Sequence, residues 1–191
     1  MATSWTSLNN QALAMLGADS ISNIDTDTTD NAVKCRAVYE SVRDELLRSH
    51  EWNFAITRAE LAVLATEPEY EYEYEYTLPT APYCLRVLEL ENGYPFSVEG
   101  RKLLTNESSA KIKYIARVSN AATLDVSFVA AYTILLAICL CLSITTSRTL
   151  KEDLKADFAF AILEAQGNNA IESKWDDDVG SETDRWEDAG R

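Results

Sequence analysis

Trp5, Leu8, Ala12, Met15 and Leu16 recur every three to four positions, the spacing of one helix face, so the chain opens with a predicted helix that Thr3 or Ser4 can cap. Gly17 follows where a helix end favours a left-handed residue. A loop rich in Asp, Thr and Ser then runs to about Thr29 and offers several caps for a second helix. In that helix Cys35, Tyr39, Val42 and Leu46 form the apolar stripe, and Lys34, Glu40, Arg43 and Asp44 the polar face. It is expected to end near His50, with Trp52 and Phe54 packed back on the helical core.

After Pro68 the period changes. Glu69 to Tyr76 alternates Glu and Tyr, the period-two pattern of a strand, which places Tyr70, Tyr72, Tyr74 and Tyr76 on one face and Glu69, Glu71, Glu73 and Glu75 on the other. Leu85–Glu91 and Tyr94–Val98 flank Asn92-Gly93, a strong hairpin signal. Ile112, Tyr114, Ala116 and Val118 alternate with Lys111, Lys113 and Arg117 to give another strand.

An apolar helix is predicted from about Thr123 to Thr146; its segment from Phe128 to Ile144 carries no charge. That is shorter than the roughly 20 residues of a typical membrane span, and no Lys/Arg cluster flanks it, so a central helix buried on all sides, or against a neighbouring subunit, is expected instead. Thr149-Leu150-Lys151-Glu152 fits a capping box for a last helix with Leu150, Leu154, Phe158, Ala161 and Ala165 on one face, running past Gly167 to about Lys174. The expected fold is α+β: a bundle of about four helices with a small antiparallel β-sheet insertion and an extended C-terminal arm. In residue terms, 1–67 and 119–174 form the helical domain, 68–118 the insertion and 175–191 the acidic arm.

Composition narrows the function. Among 191 residues, 17 Lys and Arg face 31 Asp and Glu, a net charge of −14, and the basic residues are dispersed along the sequence. Such a chain is poorly suited to gripping phosphate backbones. Cys35, Cys84, Cys139 and Cys141 form no CxxC pair and read as buried, reduced thiols of a reducing cytoplasm. The start, Met1-Ala2-Thr3-Ser4-Trp5, has neither the basic region nor the apolar core of a signal peptide.

Catalytic groups are scarce. His50 is the only histidine, and at the end of a helix beside Glu51 and Trp52 it reads as structural. Neither GxGxxG nor GxxxxGK[ST] occurs. Paired carboxylates of the Glu-Tyr run, with aromatics able to stack on sugars, keep a carbohydrate-active hydrolase open as the alternative. Asp176-Asp177-Asp178 does not match the spacing of an EF-hand loop and reads as a solvated acidic tail. The expectation is therefore no enzyme, no catalytic residue, no cofactor and no bound metal.

Several stretches together resemble a known family. Asn10-x-Ala12-Leu13-x-x-Leu16-Gly17, Cys35 to Tyr39, Arg43-Asp44-x-Leu46-Leu47 and His50-x-Trp52-Asn53-Phe54-Ala55 follow in order. Tyr74-x-Tyr76-x-Leu78-Pro79, Cys84-Leu85-Arg86-Val87 and Ile112-x-Tyr114-Ile115 come after them. Over about residues 4–173 this order and spacing is similar to the tail tubular protein A family, the head-to-tail adaptors of short-tailed phages. Family members often carry an Asp-Cys pair after the Leu-Pro, where this chain has Thr80-Ala81-Pro82-Tyr83 before Cys84. The resemblance implies a homo-oligomeric ring of about twelve copies between the portal protein and the tail nozzle protein, in the virion tail, assembled in the host cytoplasm. DNA would pass through without specific binding, and no membrane insertion is implied. Trp175, Asp176, Asp177, Asp178 and Trp186 of the arm, with Glu69, Glu71, Glu73 and Glu75, are the candidate partner-interface residues.

Overall fold

Each helix begins where a side-chain oxygen can take up an orphan backbone N–H. Ser4 and Ser7 form a reciprocal capping box at the start of α1 (Trp5–Met15), and Gly17 closes its end at φ +67. The Thr29 hydroxyl accepts from the Ala32 N–H at 3.4 Å and opens α2 (Asp30–Ser49). Asp125 accepts from Ser127 and Phe128 and opens α3 (Val126–Ile144). The last helix, α4 (Arg148–Glu172), is capped by Ser147, whose Oγ accepts from the Leu150 N–H at 3.2 Å. The capping box expected at Thr149 does not form, because Thr146 at φ +56 turns the chain directly after α3 and leaves Ser147 in the cap position. This computed structural model describes residues 3–66 and 68–172.

α1, α2 and α4 pack around α3. Phe128 on α3 meets Trp52 and Phe54 with ring centroids 5.1 and 5.0 Å apart, and the buried Tyr132 donates its hydroxyl to the Tyr39 carbonyl at 3.1 Å. Burial of α3 on all sides is corrected: Val126, Cys139 and Leu142 are exposed, since none of the three packed helices covers those positions. Cys35, Cys84 and Cys141 are buried free thiols, whereas Cys139 is free but exposed, against expectation. Arg43 also departs from the expected polar face. It is buried, with its guanidinium 5.4 Å from the Trp5 ring and its Nε 2.9 Å from Asp44 Oδ1, so its stem fills the helical core while the ring and carboxylate satisfy its head.

Two three-stranded antiparallel sheets lie beyond the helices. The first runs β1 (Ile56–Glu60), β6 (Lys111–Ala116), β3 (Cys84–Leu90), with β6 central. The second runs β2 (Tyr74–Thr77), β5 (Lys102–Thr105), β4 (Ser97–Glu99). Strand structure therefore begins at Ile56, ahead of residue 68. Two cores result: Ile115 of β6 belongs to the helical core, whereas Ile112, Tyr114 and Ala116 join Leu61, Tyr76, Leu90 and Leu103 in a second core between the sheets. The fold is α+β, with four α-helices and two small antiparallel sheets among the described residues; residues 175–191 lie outside them.

Two strand predictions are corrected. The Glu-Tyr strand is confined to Tyr74–Thr77, because its partner β5 ends at Thr105 opposite Tyr74. Beyond that pair the Glu73 N–H is taken up by the Asn106 side chain at 3.0 Å, and Glu71 turns to φ +75. Asn92 and Gly93 do adopt positive φ, at 60 and 69, but β3 and β4 on either side of them belong to different sheets. The tight hairpin is instead β4–β5, turning at Gly100 (φ +58) and Arg101 between the paired Glu99 and Lys102.

Ile115→Ala is expected to cost about 2–5 kcal/mol of unfolding free energy in denaturant titration, as a cavity opens where the sheet meets the helices. Val98→Ala, at an exposed β4 position, should stay within about 0.5 kcal/mol.

Candidate subunit interface

α4 is apolar on two sides. Leu154 and Ala165 are buried toward α3, with Leu150, Phe158, Ala161 and Ile162 half-buried beside them, as the expected stripe requires. On the opposite side Ala156, Phe160, Leu163, Gly167 and Ile171 follow at helical spacing and face solvent. Phe160 is 75% exposed, Leu163 66% and Ile171 73%. Exposed Asp153, Asp157 and Glu164 flank the stripe. Isolated exposed apolar residues are ordinary, but a stripe along about 22 Å of helix marks a surface that gains by being covered. Burying each of the three large side chains would contribute roughly 1.5–3 kcal/mol. This face was missed among the candidate sites, although Phe158-Ala159-Phe160-Ala161-Ile162-Leu163 carries more apolar residues than one buried face can use.

The Glu-Tyr candidates do not act as a unit. Glu69, Glu71 and Glu73 are exposed, but Glu75 is buried, its Oε2 held by Lys102 Nζ at 2.6 Å. The turn at Glu71 destroys the expected common face. Tyr70 and Tyr72 border a cleft of about 230 Å³ with Glu69, Glu71, Glu75 and Glu99, where the buried carboxylate of Glu75 is already engaged by an ammonium. Trp175, Asp176, Asp177, Asp178 and Trp186 lie outside the described residues. Among the described residues no group of three or more His, Cys, Asp or Glu side chains is arranged to hold a metal ion.

The end of α4 is fastened to the turn after α2. The Asn169 carboxamide accepts from the Asn53 N–H at 2.8 Å and donates to the Glu51 carbonyl at 2.9 Å. This orientation also aims the Asn169 Nδ2 at His50 Nε2, 3.3 Å away, so that nitrogen must keep its lone pair. Burial, chiefly, pushes the His50 imidazole below its ordinary value of 6.5; Glu51 opposes the shift and Arg86 adds to it. His50 thus serves as a structural clamp, with its ring edge against Trp52 at a centroid distance of 4.9 Å.

By length and composition α3 could cross a membrane, yet half of its most apolar window is buried inside the protein. No protein-family model matches the chain, and no curated protein matches it.

Because neutral His50 suits the folded state, the unfolded chain takes up its proton first as pH falls below 6.5. Stability should therefore decline from pH 7 toward the folded-state value, and His50→Gln should flatten that part of a stability-versus-pH curve. Phe160→Gln and Leu163→Gln should each leave unfolding free energy within about 0.5 kcal/mol of the original, as neither side chain packs within its own chain.

Proposed function

We propose that this chain is a structural subunit of a short-tailed phage tail, an adaptor that assembles as a ring of about twelve copies between the portal protein and the tail nozzle protein. The observation that carries the reading is the uncovered outer face of α4, with Phe160, Leu163 and Ile171 in line. In a closed ring each copy would bury such a face against a different patch of its neighbour, without any catalytic centre. The motif order from Asn10 to Ile115 supports the assignment as a resemblance, and the α+β fold is compatible with it.

Two physical features suit that role. A net charge of −14 would keep DNA from adhering to a channel built from these chains, favouring passage over binding. Three of the four cysteines are buried and all four are free, which suits assembly in a reducing host cytoplasm before incorporation into the virion. α3 serves in this reading as a core helix, its apolar surface shared with α1, α2 and α4.

The test is co-sedimentation of the chain with a purified portal ring. The original chain should sediment with the ring, and a Phe160→Asp/Leu163→Asp variant should remain in the supernatant while keeping its circular dichroism and unfolding midpoint. Normal recruitment of that variant would exclude the outer face of α4 as the contact between copies.

A further inference from the structure

We infer that a cleft lined by Arg48, Arg86, Arg101 and Arg117 is a docking site for the chain's own acidic C-terminal segment, through the carboxylates of Asp176–Asp178.

Four arginines line this cleft of about 490 Å³, and among the described residues no Asp or Glu does, in a chain whose net charge is −14. They come from the end of α2, from β3, from the β4–β5 turn and from the segment after β6, so folding concentrates charges that are far apart in sequence. Arg101 and Arg117 both lie over the Tyr83 ring, with guanidinium carbons 4.0 and 4.4 Å from its centroid. Arg101 is held in place by the carbonyls of Cys84 at 2.7 Å and Pro79 at 2.6 Å, and among the described residues it has no carboxylate partner. Arg117 pairs with Asp44, which also serves the buried Arg43. Arg86 has a buried Nε with no hydrogen-bond partner, and its nearest carboxylate, Glu51, stands 3.9 Å away. Among the described residues Arg48 has no ion pair. Guanidinium forks match carboxylate geometry, so an acidic peptide is the ligand the cleft fits.

The position of α4 selects the occupant. Asn169 and Ala170 line an adjoining cleft together with Lys113 and Arg86, and Arg86 is common to both clefts. Beyond Glu172, Asp176 to Asp178 follow after four to six residues, a reach of about 13–22 Å for extended chain. From Trp175 onward there are seven acids and two arginines. The acidic run thus follows closely in sequence on a helix end whose cleft shares Arg86 with the basic one. This inference does not rest on the ring reading, since it concerns one copy of the chain.

The experiment follows tryptic cleavage after Lys174 in the intact chain at low salt, read by mass spectrometry. Arg48→Gln/Arg86→Gln should speed cleavage at least about five-fold, within the range of direct coupling between contacting residues. Asp176→Asn/Asp177→Asn/Asp178→Asn should also speed it, and combining the two sets should add nothing further. Unfolding midpoints of the variants identify any loss from misfolding, and cleavage after Arg185 provides an internal reference. Multiplicative effects, or no effect of the arginine changes in a folded variant, would overturn the inference. Protection that rises with protein concentration would also overturn it, assigning the cleft to the segment of a second copy.

Discussion

One strand answers to two cores, and the rest of the fold is arranged around it. β6 sits between β1 and β3 and turns Ile115 toward the helices while Ile112, Tyr114 and Ala116 face the second sheet. A strand can do this only through its two-residue alternation, and a register slip by one residue would exchange both faces at once. β3 follows the same division less regularly. Cys84, Val87 and Leu90 go to the sheet core and Leu85 and Leu88 to the helical core, with register shifts on either side of Arg86 and Val87. The helical core takes Ile115 from this sheet and the second core takes Ile112, Tyr114 and Ala116, so both cores share it.

The helices were legible because their signals are local. Ser4, Thr29 and Asp125 each lie at a helix start, and Gly17 takes the left-handed conformation its position suggests. The strands were less legible because pairing is decided elsewhere in the chain. Glu69–Glu73 alternates as well as any strand, yet β5 stops at Thr105 and offers it no backbone to pair with. Asn92-Gly93 turns as such a pair should, but its flanks join different sheets. In Ile56-Thr57-Arg58-Ala59-Glu60 the alternation is too weak to announce β1, which exists because β6 needs a second partner. Arg43 looked solvated until Trp5 and Asp44 were seen to enclose it.

Surface chemistry was the least legible of all. The arginines at 48, 86, 101 and 117 read as dispersed in sequence and meet in one cleft only through topology. The outer stripe of α4 was present as residues but hidden as a face, because a helix with two apolar sides declares itself only when one side is seen to be occupied. An uncovered apolar stripe, a net charge of −14 and a clamped helix end are the features on which the proposed adaptor role rests.

The mass of the particle formed when the chain is mixed with a portal ring, measured by native mass spectrometry, probes that role most directly. Mass added in a closed set of about twelve copies is the expected result. A portal ring whose mass is unchanged in the presence of excess folded chain would contradict it.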